Sequence, residues 1–201
     1  STLLPGTMVK RVIPLFNKIF QEREIKTPPL IAYSYERVMP GPQYLNSIIN
    51  NFRCYAASSP TADKICYDFF CSFVNTKDYP LTRVSKFETA EAAKIIENSY
   101  RAVNIAFLEE WNEFAEEIGF DIYEAINAIK VRETHKNISY PGFGVGGYCL
   151  TKDPLFGNQS AEELYGLKHL KFPFSQLAVK TNKRMPTRVF RRLKNSIGSL
   201  N

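Results

Sequence analysis

Residues 88–118, ETAEAAKIIENSYRAVNIAFLEEWNEFAEEI, run without a single Gly or Pro and decide how the chain is organised. Within them Ala93, Ile96, Tyr100, Val103, Phe107, Trp111, Phe114 and Ile118 recur every three or four residues, and the run stops at Gly119. That spacing is the period of an amphipathic α-helix, and it predicts one long helix. After it, Asp121 with Glu124 reads as a capping pair opening a second helix through Ile129. Residues 134–158 read as a Gly- and Pro-punctuated loop. Helical stretches are expected over 160–170 and 173–184, with Met185-Pro186 breaking the latter before a last stretch at 189–196.

Ahead of the long helix the pattern is different. Residues 8–20 carry apolar side chains at helical spacing, and Leu30-Ile31-Ala32-Tyr33 after Pro28-Pro29 reads as a short buried strand. A helical turn over 44–50, a strand over 53–57, a helix over 60–74 entered through Ser59 and a strand over 81–85 follow, while Ser1 reads as the end of a strand. Strands alternating with helices predict a parallel-sheet α/β part over 1–86, followed by an all-helical part over 87–201.

Composition removes several classes. With 201 residues, 44% hydrophobic and 13% aromatic, the chain can bury a core, which excludes disordered and fibrous folds. No apolar run is long enough for a membrane span, and the first residues have neither a basic n-region nor a signal-like apolar segment, so a cytoplasmic location is expected. The formal charge of +6 admits a negatively charged partner without specifying one. Of the four cysteines, Cys54, Cys66 and Cys71 are expected to be reduced, buried, small hydrophobes; the Cys66 and Cys71 spacing does not suit a zinc knuckle, and no metal set is read.

Cys149 stands apart. It sits in Pro141-Gly142-Phe143-Gly144-Val145-Gly146-Gly147-Tyr148-Cys149-Leu150-Thr151-Lys152-Asp153-Pro154, which holds four of the ten Gly. Gly142, Gly144 and Gly147 satisfy the dinucleotide fingerprint formally, yet Pro141 precedes them and Asp153-Pro154 follows, where that motif needs a strand and then a helix. What remains is pliable backbone beside a thiol, an ammonium and a carboxylate. Two readings stay open: a nucleophile whose thiolate is favoured by nearby positive charge, or a structural turn. On the long helix Lys94 and Asn98 are four apart and share a face; they fit a solvated surface, or a donor pair for an oxyanion.

The loop from Gly142 to Phe156 resembles the catalytic-cysteine loop of the nucleotide-sugar 6-dehydrogenases, the UDP-glucose, UDP-N-acetylhexosamine and GDP-mannose dehydrogenase family. Three further stretches resemble the same family in the right order: 1–7, Ser34–Gly41 and Thr89–Ala106. The resemblance implies a partial Rossmann-like parallel sheet plus a central helical domain with one long helix. Residues 1–86 would be the second half of the NAD-binding domain, and 87–201 the central dimerisation and catalytic domain. It also implies NAD-dependent oxidation of a nucleotide-sugar C6 alcohol to the uronic acid, in polysaccharide precursor biosynthesis. Cys149 would form the thiohemiacetal and thioester, Lys94 and Asn98 would stabilise oxyanions, and Asp153 would serve the hydrolytic water. Thr2 and Glu36 would support water, substrate and cofactor. Gly146, Gly147, Lys152 and Arg132 are implied substrate contacts, and a homodimer formed through the long helix, across which Arg132 could reach the substrate, is implied as well.

Some positions depart from the family pattern. Tyr35 stands where many members have Pro within Ser-Pro-Glu, Thr151 replaces a common Pro, and Glu36-Arg37-Val38-Met39-Pro40-Gly41 is nearer the N-acetylhexosamine branch, whereas Lys152 resembles the UDP-glucose type. The family's N-terminal fingerprint and C-terminal domain have no counterpart in these residues, so the chain alone is expected not to turn over. The alternative function is a truncated, non-catalytic dimerisation module. His135 is read as a surface group. From Leu164 onward there is no acidic residue while Lys and Arg accumulate; a basic helix facing an acidic partner domain or a substrate phosphate is preferred to nucleic-acid binding, and neither a nucleic-acid nor a membrane partner is expected.

Overall fold

Pro14 shapes the first helix of the chain, which a computed structural model describes over residues 2–198; the strand end expected at Ser1 lies outside the described residues. Proline has no N–H to give to the preceding turn. The chain answers with a π turn over Met8–Val12, in which the Ile13 N–H reaches back to the Met8 carbonyl, before α1 continues over Ile13–Glu22. Beyond it come β1 (Ala32–Ser34), α2 (Tyr44–Ile49), β2 (Cys54–Ala57), α3 (Pro60–Cys71) and β3 (Thr82–Arg83). Ser59 opens α3 as expected, its hydroxyl accepting from the Ala62 N–H.

The three strands lie in the order β1-β2-β3. β2 and β3 are parallel, joined by the α3 crossover, with Cys54 opposite Thr82 and Tyr55 opposite Arg83. β1, however, is antiparallel to β2, pairing Ala32 with Ala57 and Ser34 with Tyr55. The sheet is therefore mixed, where alternation alone pointed to a parallel one. The connection between β1 and β2 carries only α2, a helix of about 9 Å at the usual rise, and it turns the chain back at the end where β1 leaves. β2 is buried on both faces. Cys54 and Ala56 pack with Tyr33, Tyr35 and Met8, while Tyr55, pointing the other way, meets Phe70 and Val74.

α4 (Phe87–Ile118) is the long helix, and Gly119 ends it in the left-handed region with φ +83, its N–H reaching the Ala115 carbonyl. Asp121 caps α5 (Ile122–Lys130), accepting from the Tyr123 and Glu124 N–H groups. Two features of the expected loop are helical instead: a 3-10 turn over Asp153–Leu155 runs directly into α6 (Phe156–Glu163), which starts and ends earlier than its spacing suggested. α7 (Pro173–Ile197) passes through Pro186 without a break. Buried contacts before it, at Ala178, Asn182 and Met185, and the Arg188 ion pairs after it hold the helix across the missing hydrogen bond. Of the cysteines, Cys54 is buried and Cys66 half-buried, but Cys71 is exposed. Five positions apart on a helix, Cys66 and Cys71 point about 140° away from each other.

The chain forms two compact units: residues up to Ile95 with Phe156–Leu170, and Ile96–Leu155 with the residues from Lys171 onward. Along α4, alanines recur among the inward residues, beside the larger Phe87, Ile95 and Leu108. Ala90 joins the core of the first unit; in the second, Ala102 and Ala106 meet Ala178, and Ala115 meets Ile122 and Ile126. The large members of the periodic set, Ile96, Tyr100, Phe107, Trp111, Phe114 and Ile118, face outward.

Glu91 fixes the first unit. Its carboxylate, with no exposed surface, accepts from the Gly6 N–H at 2.6 Å and the Met8 N–H at 2.8 Å, tying the start of the first helix to α4. Burial raises its pKa above the ordinary 4.5, outweighing those two donors, which lower it. A carboxyl whose folded pKa exceeds its unfolded one adds stability that is complete below the unfolded value and lost as pH rises through the folded value. The urea midpoint of the natural chain is therefore expected to fall, relative to Glu91→Gln, as pH rises from the ordinary carboxyl range through the raised folded value; a difference independent of pH would remove this assignment.

Candidate functional site

The Cys149 segment is positioned from both ends. At its start, Gly144 adopts φ +140 and lies under α7: a Cβ there would approach the Pro186 ring Cγ to 2.9 Å. Gly147 also adopts a positive φ, +81, but with open space beside it, and Gly146 has neither constraint. At its end, the Cys149 carbonyl accepts from the Lys152 N–H at 3.2 Å and the Asp153 N–H at 2.9 Å, while the Thr151 hydroxyl donates to the Gly147 carbonyl at 3.0 Å. These bonds wind the chain into the 3-10 turn and leave Cys149 exposed.

Asp153 is the anchor of that turn. It has no exposed surface, and each carboxylate oxygen has a donor: the Asn98 amide reaches Oδ2 at 2.7 Å and the Lys152 ammonium reaches Oδ1 at 2.6 Å. A buried carboxylate without donors is costly, and these two satisfy its oxygens. Asn98, itself 4% exposed, is thus no solvated residue; its side chain comes from α4 and is committed to Asp153 through one of its two amide hydrogens. Asn98, Cys149, Lys152 and Asp153, together with Gly146, Gly147 and Arg132, belong to the second unit. Arg132 is exposed, at the entrance of a 3-10 turn over Glu133–His135, and His135 is exposed with Nδ1 2.9 Å from the Thr134 hydroxyl.

Thr2, Glu36 and Lys94 belong to the first unit. Lys94 is 8% exposed and its ammonium donates to the Glu36 carbonyl at 2.8 Å, which excludes the solvated reading. The Tyr35 ring lies beside it, with the Lys94 nitrogen 5.7 Å from the ring centroid. The Glu36 carboxylate turns back on its own strand end, accepting from the Val38 N–H at 2.6 Å. Thr2 is half-buried. The structure therefore joins Lys94 to Glu36 in one unit and Asn98 to Asp153 and Lys152 in the other. Tyr35 and Glu91 were not singled out from sequence. The signal for Tyr35 was its place in a position usually held by Pro; for Glu91 it was a carboxylate among Ala90, Ala92 and Ala93.

Other groups behave differently. Burial, with Asp63 nearby, pushes the Cys66 thiol up to about 11, so it stays protonated at neutral pH. Two members of the basic run on α7 find acidic partners within the same unit: Arg188 pairs with Glu109 and with Glu116 at 2.8 Å, and Arg192 with Glu116 at 2.5 Å. No group of three or more His, Cys, Asp and Glu side chains suits a metal, and no helix is long and apolar enough to cross a membrane, among the described residues.

Residues 88–184 match the central domain of the UDP-glucose/GDP-mannose dehydrogenase family. The UDP-N-acetyl-D-mannosamine dehydrogenase of Pyrococcus horikoshii is 34% identical over 188 residues, covering 92% of this chain and 41% of that protein. The UDP-N-acetyl-D-mannosamine dehydrogenase of Methanocaldococcus jannaschii is 34% identical over 156 residues, or 78% of this chain and 33% of that protein. A solved structure of UDP-D-ManNAc dehydrogenase from Pyrococcus horikoshii superposes on 98% of this chain and 44% of its own, with a TM-score of 0.76 and 30% identity. The chain thus spans less than half the length of these relatives.

The glycines of the loop give a direct contrast. Gly144→Ala meets both a disfavoured φ and the Pro186 ring and is expected to destabilise by about 1–3 kcal/mol, whereas Gly146→Ala is expected to stay within about 0.5 kcal/mol. Urea unfolding of the two variants, followed by circular dichroism, checks this; equal losses would show that neither constraint holds.

Proposed function

The chain belongs to the nucleotide-sugar dehydrogenase family, and from that premise we propose that the protein containing it oxidises the C6 alcohol of a nucleotide sugar to the carboxylate, with Cys149 as the covalent nucleophile. The observation that carries the reading is the Asp153 carboxylate, buried and held by Asn98 and Lys152, four residues after an exposed thiol. NAD, when bound, supplies hydride acceptance at both oxidation levels. Its pyrophosphate finds no cradle among the described residues, since the glycines of 142–147 follow Pro141 and lead into a 3-10 turn rather than a helix N-terminus. Thr2 and Glu36 remain its proposed contacts, and no step is assigned to them.

The work of the chain's own residues follows from their chemistry. The Cys149 thiolate adds to the C6 aldehyde carbon, forming a C–S bond and placing a negative charge on the former carbonyl oxygen. Loss of hydride from that carbon leaves a thioester, and no free acid or aldehyde has yet departed. Water then adds to the thioester carbon, a proton passes to Asp153 or to solvent, and the C–S bond breaks with the electron pair returning to sulfur. Asn98 retains one amide hydrogen beyond the bond to Asp153, and Lys94 carries a buried ammonium; these are the proposed oxyanion donors. Lys152, Gly146, Gly147 and Arg132 are proposed substrate contacts. The names of the relatives and the Glu36–Gly41 stretch both favour a UDP-N-acetylhexosamine as substrate, with polysaccharide precursor supply as the setting.

The outward stripe of α4 supports a homodimer. Phe107, Trp111, Phe114 and Phe120 form a chain of edge-to-face rings with centroids 6.1–6.4 Å apart, on a surface that leaves Trp111 47% exposed. A row of this size and character favours burial against another molecule. Sedimentation is expected to give a dimer for the natural sequence and a monomer for Trp111→Glu; a monomeric natural protein would set this part aside.

Catalysis is tested on the full-length protein. NADH formation is expected with UDP-N-acetylmannosamine or another UDP-N-acetylhexosamine, and Cys149→Ser is expected to form no acid while still binding the nucleotide sugar. Acid production undiminished in Cys149→Ser would exclude the thioester route, and no NADH from any nucleotide sugar would exclude the activity.

A further inference from the structure

Where β1 ends, the aromatic side chain of Tyr35 is buried to 3% exposure in the core of the first unit, and two cations converge on it. The Lys94 ammonium lies 5.7 Å from the ring centroid and the Arg37 guanidinium 5.2 Å. Arg37 also holds the ring from its far end: Nη2 donates to the Tyr35 hydroxyl at 2.9 Å, and Nη1 donates to the Phe52 carbonyl at 2.9 Å, so the arginine is fixed to the segment that leads into β2. Lys94 has one hydrogen-bond acceptor from the same segment, the Glu36 carbonyl. An ammonium with three donors and a four-carbon stem is mobile by nature. One carbonyl limits its reach, but a single contact leaves it free to swing about that contact.

We propose that Tyr35 is a positioning residue for Lys94: its ring supplies the second contact, and Arg37 locks the ring. The inference rests on the reading of Lys94 as an oxyanion donor. Attraction between a cation and the negative face of an aromatic ring orients the ammonium without neutralising it. A carboxylate in that place would pair with the charge and compete with an oxyanion; a ring leaves the charge available. The hydroxyl serves one of the two Arg37 contacts, and the ring serves the other and Lys94. The two roles are separable by substitution.

Tyr35→Phe keeps the ring, whereas Tyr35→Leu removes it. In the full-length enzyme Tyr35→Phe is expected to stay within about twofold of the natural kcat, and Tyr35→Leu to lower kcat about tenfold with KM for the nucleotide sugar nearly unchanged. A direct signature accompanies this. With lysine labelled at the ε-carbon and the Lys94 resonance identified by its loss in Lys94→Arg, that resonance is expected to be shifted upfield by the ring, to keep the shift in Tyr35→Phe and to lose it in Tyr35→Leu. A folded Tyr35→Leu enzyme with natural kcat overturns the proposal, as does an unshifted Lys94 resonance in the natural protein. Should Tyr35→Leu fail to fold, the resonance in the natural and Tyr35→Phe proteins decides. A natural enzyme that turns over no nucleotide sugar, yet shows the shifted resonance, overturns the dehydrogenase reading and leaves the clamp established.

Discussion

A carboxylate withdrawn from water must find donors inside the protein, and this constraint at Asp153 organises the second unit. Its two oxygens draw the Asn98 amide from α4 and the Lys152 ammonium from its own turn. Once that happens, the chain from Cys149 to Leu155 has little freedom: the Cys149 carbonyl must face the Lys152 and Asp153 N–H groups, and the thiol is left at the surface. The first unit repeats the principle with Glu91, which collects two backbone N–H groups at the start of the first helix. In both, α4 supplies one partner of a buried polar contact. Each removal would leave a desolvated group unpaired, and that penalty exceeds the modest net gain of forming such a bond.

The helices were legible because their signals are local. A run without Gly or Pro, ended by Gly119, fixes α4; Ser59 and Asp121 act as caps through contacts two or three residues away. The direction of β1 was not legible, since a short connecting segment can return the chain to either end of a sheet and no residue within the strand records which. Pro186 misled for a related reason. Its local preference against a helix interior is real, yet packing around Asn182 and Met185 overrides it.

The candidate site divides along the same line. The thiol, the carboxylate and the amide could be named from motif and spacing, because their chemistry is written in residue type. What each of them touches could not. Asn98 and Lys94 suit a wet helix face equally well in sequence, and only burial shows that each is spoken for, the one by Asp153 and the other by the Glu36 carbonyl. Likewise the charges on α7 suggested a distant acidic partner, whereas Arg188 and Arg192 reach Glu109 and Glu116 across one helix pair. Long side chains erase the connection between where a charge sits in sequence and where it acts.

The approach of the Pro186 ring to the Cα of Gly144 has a consequence for how this family can drift. A larger side chain at 144 needs the ring opposite to shrink or move and a different backbone turn as well, because φ +140 strains any residue that carries a Cβ. Clearing space at 186, 42 positions further along the chain, is therefore not enough to release 144 from glycine.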